Sequence, residues 1–110
     1  MTTNHSNWTY NEFLAFLLIY AAEMNDRLTA QELAFIKERT KINDIDKIKA
    51  TVDSVNDIQA IDIIDEYRKT YLDTNEKKAQ TKLDLENLLK TSGMHSQLEK
   101  AGVHILEKII

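Results

Sequence analysis

The sequence predicts an all-α fold, a compact single-domain helical bundle of five to seven helices. Three observations carry that expectation. There is no proline, and the two glycines, Gly93 and Gly102, fall late in the chain, so helices run unbroken and strands find little turn chemistry. Hydroxyl residues followed three positions later by Glu recur as helix starts: Thr9 with Glu12, Thr29 with Glu32 and Ser96 with Glu99. Between these starts, apolar residues return at helical spacing.

Residues 1–8 form a polar tail, followed by one helical domain over 9–110. Trp8 and Phe13 flank the Thr9–Glu12 pair as a hydrophobic staple. The first helix contains "FLAFLLIYAA", residues 13 to 22, with Phe13, Phe16, Leu17 and Tyr20 on one face and Leu14, Leu18 and Ile19 elsewhere. It is apolar nearly all round and should be the central buried helix. A second helix, 30 to 40, opens on Thr29 and Glu32, with Leu28 and Leu33 as its staple, and carries Leu33, Ile36 and the neighbouring Phe35. A third, 44 to 54, carries Ile45, Ile48, Val52 and, just beyond it, Val55.

The fourth segment, 57 to 72, holds "IQAIDIIDEY", whose β-branched residues would suit a strand. Asp62, Asp65 and Glu66 share one helical face, however, so it is a helix with Ile58, Ile61, Ile63 or Ile64, Tyr67 and Tyr71 inward. The fifth helix, 74 to 91, starts at Asp73 or Thr74 and buries Ala79, Leu83, Leu85, Leu88 and Leu89. It stops before Gly93, which suits a left-handed residue after a helix. The sixth, 97 to 109, carries Leu98, Ala101, Ile105, Leu106 and Ile109. No linker divides the chain.

Composition excludes several classes of function. With 43% apolar residues the chain can build a core without disulfides or a structural metal. The absence of cysteine removes thiolate catalysis, zinc knuckles and iron–sulfur ligation. A net charge of −4 argues against a nucleic-acid partner, which needs a basic face. The most basic stretch, "KERTKINDIDKIK", is broken by Glu38, Asp44 and Asp46 and is a solvated surface. The apolar run is shorter than the roughly 20 residues a membrane span needs, so no membrane partner is expected. "MTTNHSNW" lacks the basic start and apolar core of a secretory leader, so the expected location is cytoplasmic and the sequons at Asn4 and Asn7 carry no function.

"LLIYAAEMNDRLTAQELAFI" and, more weakly, "SGMHSQLEKAGVHILEKII" resemble the TerB-like (tellurite-resistance) family of small α-helical domains. In that family an apolar helix ending in Ala-Ala meets an Asp-Gly turn, a hydroxyl cap, a Glu and a further apolar helix. A second such turn opens the C-terminal helix. The resemblance implies the helical fold across the chain and a link to stress or tellurite resistance. It also implies that acids of the two turns ligate a divalent cation. Here Asn25-Asp26 and Ser92-Gly93 stand in place of the two Asp-Gly pairs, while Glu32 and Glu99 are retained.

Candidate binding residues are therefore Asp26, Glu32 and Glu99, with Trp8 and Tyr10 as a candidate partner surface. An EF-hand loop starting at Asp26 would place Leu28 and Ala30 at ligand positions, Gln31 where Gly is needed and Lys37 where Glu is needed, so the stretch is not one. Thr29 and Glu32 act instead as a helix cap, and no metal or other cofactor is expected. His5, His95 and His104 lack metal-site spacing, and Asp62 with Glu66 form a wet face. No catalytic arrangement is present. The functional expectation is a non-enzymatic module acting through an unidentified protein partner, the alternative being a weak divalent-cation binder using Glu32 and Glu99.

Overall fold

The computed structural model describes residues 8–23 and 28–92. Five helices and no strand make up this part: α1 (Tyr10–Glu23), α2 (Ala30–Thr40), α3 (Ile45–Ser54), α4 (Asp57–Tyr71) and α5 (Asn75–Ser92). Expected and observed bounds of α2 to α5 agree to within a residue, and α1 begins three residues before the apolar run. The sixth expected helix, 97–109, lies outside the described residues. A radius of gyration of 12.8 Å matches a compact chain of this size, for which about 13 Å is usual.

Helix α1 occupies the middle. Every side chain from Phe13 to Ala22 is buried, Leu17 and Ile19 completely, and α1 packs against each of the other four helices. Its start is fixed reciprocally. The Thr9 N–H donates to Glu12 Oε1 at 2.9 Å, and the Glu12 N–H donates to Thr9 Oγ1 at 3.2 Å. Trp8, at the end of the expected polar tail, belongs to the core. Its ring lies 5.0 Å from that of Phe16 and 5.5 Å from that of Tyr67. Two tyrosines one turn apart on α4 grip its backbone: its N–H donates to the Tyr67 hydroxyl at 3.2 Å, and the Tyr71 hydroxyl donates to its carbonyl at 2.6 Å. Further ring contacts join Tyr10, Phe13 and Tyr20 to the same cluster.

The outer helices bury one stripe each, and two stripes differ from expectation. On α4 the inward residues are Ala60, Ile63, Ile64 and Tyr67, whereas Ile58 is 75% exposed. Ala60 is fully buried, and the stripe that contains it leaves Ile58 outside. On α5 Leu85 and Leu88 are buried with Thr81 and Asp84, while Ala79 is exposed and Leu83 is 47% exposed. Counting apolar residues misses a stripe that contains polar ones. Thr81 is tolerated there because its hydroxyl donates to the Lys77 carbonyl one turn back at 2.9 Å. Thr40, fully buried, does the same toward Ile36 at 2.7 Å.

Caps set the remaining boundaries. Asn56 and Gln59 form a reciprocal box at the start of α4, a cap built from two amides in place of a hydroxyl and a Glu. Thr74, not Asp73, caps α5 by accepting the Lys77 N–H at 3.2 Å. Helix α2 ends at Lys41, which takes the left-handed conformation (φ 59°) and donates its N–H to the Lys37 carbonyl. Tyr20 ties α1 to α4 by donating to Asp57 Oδ1 at 3.0 Å. Burial, reinforced by this bond and by the nearby charge of Asp57, pushes its phenol up to about 12.

Trp8→Ala should cost about 3–5 kcal/mol, because it empties a core site at the hub of the aromatic cluster. Ile58→Ala should stay within about 0.5 kcal/mol of wild type, as a surface change. Urea denaturation of both variants checks the pair, and equal midpoints would contradict this assignment of core and surface.

Candidate functional site

The described residues separate the sequence-predicted site residues. Asp26 and Glu99 lie outside them, as do Asn25, the turn at Gly93, the Ser96–Glu99 cap and all three histidines. Glu32 is 7% exposed and engaged in its own helix start. Its Oε1 accepts the Thr29 N–H and the Thr29 hydroxyl, both at 3.0 Å, and its own N–H donates to Thr29 Oγ1 at 3.1 Å. The capping box expected from "TAQE" is complete. A cation at Oε1 would have to compete with two hydrogen bonds already made there. Among the described residues no group of three or more His, Asp or Glu side chains is placed to hold a metal ion.

Trp8 and Tyr10 face different surroundings. Trp8 is 6% exposed and gives a partner almost no surface. Tyr10 is half-buried and lines a groove of about 320 Å³ with Arg39, Tyr71, Glu76, Lys77 and Gln80. The groove lies where the starts of α1 and α5 meet the end of α4, with Arg39 reaching in from α2. Two of its lining residues are aromatic, the Tyr10 and Tyr71 rings meeting edge to face, 6.0 Å apart. No protein-family model, curated protein or solved structure matches the chain significantly.

A buried acid holds the polar end of the groove. Asp84, 2% exposed, accepts Arg39 Nε at 2.9 Å and Gln80 Nε2 at 3.2 Å, both on Oδ1. Its Oδ2 is buried without a hydrogen-bond partner among the described residues. Bonding to Asp84 raises the Arg39 guanidinium above the ordinary arginine value, and burial only partly opposes this. The Tyr10 hydroxyl lies 3.4 Å from Thr81 Oγ1. Because the Thr81 proton already serves the Lys77 carbonyl, Tyr10 is the donor. Sequence reasoning found Tyr10 but missed Arg39, Asp84 and Gln80. The available signal was Gln80 and Asp84, four apart and so one helical turn apart on α5.

A second group of charges closes the far end of α1. Lys49 Nζ lies 2.7 Å from Asp53 Oδ2 and 3.9 Å from Glu23 Oε2, while Glu23 Oε1 is buried and has no geometric hydrogen-bond partner among the described residues. Burial and then the negative charge of Asp53 raise the Glu23 carboxyl above the usual range, and Lys49 offsets this only in part. Asp62 and Glu66, the acids singled out from sequence, are both exposed on α4. Among the described residues no helix is long and apolar enough to cross a membrane.

Two outcomes follow. Thr29→Ala should destabilise the domain by about 1 kcal/mol while leaving its helix content unchanged, since it removes one cap. A wild-type denaturation midpoint would contradict the role. For Glu23 the folded carboxyl binds its proton more tightly than the unfolded one, so its effect on stability is most favourable below pH 4.5 and is lost as pH rises through the raised value. Glu23→Gln should therefore raise the melting temperature at pH 7, with a smaller gain at pH 4. A gain that grows on acidification would reverse the sign.

Proposed function

We propose that the chain is a non-enzymatic, cytoplasmic TerB-like helical module that acts through protein–protein contacts. The resemblance supplies the pathway, a stress or tellurite-resistance response. Support for the TerB-like reading comes from the apolar central helix followed by a capped second helix, within an all-α arrangement. The observation that carries the protein-contact reading is the groove, where Tyr10 and Tyr71 remain half-buried beside charged side chains. Aromatic residues that keep an apolar body and a polar tip at the surface are enriched where proteins meet.

The cation-binding reading would need Glu32 to exchange its capping bonds for a metal, together with Glu99. Hard cations such as Ca²⁺ and Mg²⁺ gain affinity with the number of charged oxygens, and the two Asp-Gly turns here carry Asn25 and Ser92.

Affinity capture with the tagged full chain should retain a protein in near-stoichiometric amount. Titration of chelator-treated protein with Ca²⁺ or Mg²⁺ should give neither saturable heat nor a rise in melting temperature. A 1:1 isotherm tighter than about 10⁻⁵ M, the range of calcium sensors, that is lost in Glu32→Gln or Glu99→Gln would replace the module reading with the cation-binding one.

A further inference from the structure

We infer that Glu23 and Asp53 form a proton-operated link between the end of α1 and α3, closed when the pair holds one proton and open when it holds none. Three features converge on Glu23. Its Oε1 is buried, and the group within hydrogen-bonding reach of its carboxyl is another acid, Asp53. While both are ionised, neither has a proton to donate to the other. The one ammonium beside them, Lys49, lies 2.7 Å from Asp53 and 3.9 Å from Glu23, so it is committed to Asp53. Glu23 is also the last residue of α1, whose final turn carries no basic residue. The negative end of the helix therefore adjoins its carboxylate and disfavours the anion.

One proton taken from solvent resolves the conflict. The protonated carboxyl gains an O–H and donates it to the other acid, so two acceptors become a donor and an acceptor across the α1–α3 contact. Glu23 is the proton carrier, because its side chain is 23% exposed against 49% for Asp53 and burial penalises the charged form. Its carboxyl is held above the usual carboxylate range by burial and then by the charge of Asp53. Among the described residues the charged groups acting on Glu23 are Asp53 and Lys49, both on α3, while Asp46 acts on Lys49. The link is complete below pH 4.5 and is lost as pH rises through the raised value, which leaves two like charges around one ammonium. Tyr10 and its groove lie at the opposite end of this 14-residue helix, about 20 Å away, so the inference does not rest on the interaction-module reading.

The test is an NMR titration of the side-chain carboxyl carbons in the full chain. The Glu23 signal should titrate with a midpoint above 4.5. Asp53→Asn should shift that midpoint down, because the new amide donates to the Glu23 anion and Lys49 is freed to pair with it. Lys49→Met should shift it up by removing the one nearby cation. Burial alone would leave the midpoint in place in both variants, so the opposite shifts identify the link. A double-mutant cycle of Glu23→Ala and Asp53→Ala, read as urea denaturation midpoints, should give a repulsive coupling at about pH 7 and an attractive one at about pH 4. Should the alanine variants fail to fold, the Asp53→Asn titration decides alone. A Glu23 midpoint at or below 4.5, a midpoint unmoved by Asp53→Asn, or a coupling of one sign at both pH values would each overturn the inference.

Discussion

Ten consecutive side chains with one phenol as their only polar group cannot face water on any side once they are helical. Burying each large one contributes about 1.5–3 kcal/mol, so leaving a face of α1 open would forfeit several such contributions at once. The fold answers with four helices around α1, each contacting it through one stripe. Because α1 needs cover all round, no outer helix needs more than one apolar face. That is why α3 and α4 can carry dense charge outside, and why Ile58 can stand in solvent.

The same constraint explains where polar atoms enter the core. Tyr20 brings its hydroxyl to the rim of the bundle, where Asp57 accepts it. Trp8 brings a peptide group into apolar surroundings, and Tyr67 and Tyr71 satisfy its N–H and carbonyl. Buried backbone groups are nearly always paired, so these two tyrosines do more than fill volume. Their positions four apart on α4 match one helical turn. Tyr71 also forms the groove wall, and therefore the aromatic core and the groove share a side chain.

Helix number and bounds over the described residues were legible in the sequence because caps and periodicity are local. Thr9–Glu12 and Thr29–Glu32 can be read without knowing any tertiary neighbour, and both boxes are present. Inward faces were harder wherever a small or polar residue took a core position. Ala60 displaced the stripe of α4, and Thr81 and Asp84 displaced that of α5. The site was least legible. Arg39 and Asp84 are 45 positions apart, and their bond depends on α2 packing against α5, which no local pattern encodes. Tyr10 was visible as an aromatic at a helix entrance, whereas the residues that give it chemical company were not.

Stability alone is a weak reason for that long-range bond. Burying an acid is costly, and replacing a buried ion pair with packed apolar residues is often neutral or stabilising. Removing one partner is a different matter, because the remaining charge has nowhere to go. The pair contributes direction. Nε and Oδ1 define one axis of the guanidinium, and Gln80 holds the same oxygen from one turn away on α5. Asp84 therefore cannot shift toward Arg39 without breaking a second bond. A long, otherwise mobile side chain on α2 is thereby held at the mouth of a groove built by three other helices. An apolar pair at these positions could hold α2 against α5, but it would place no donor there.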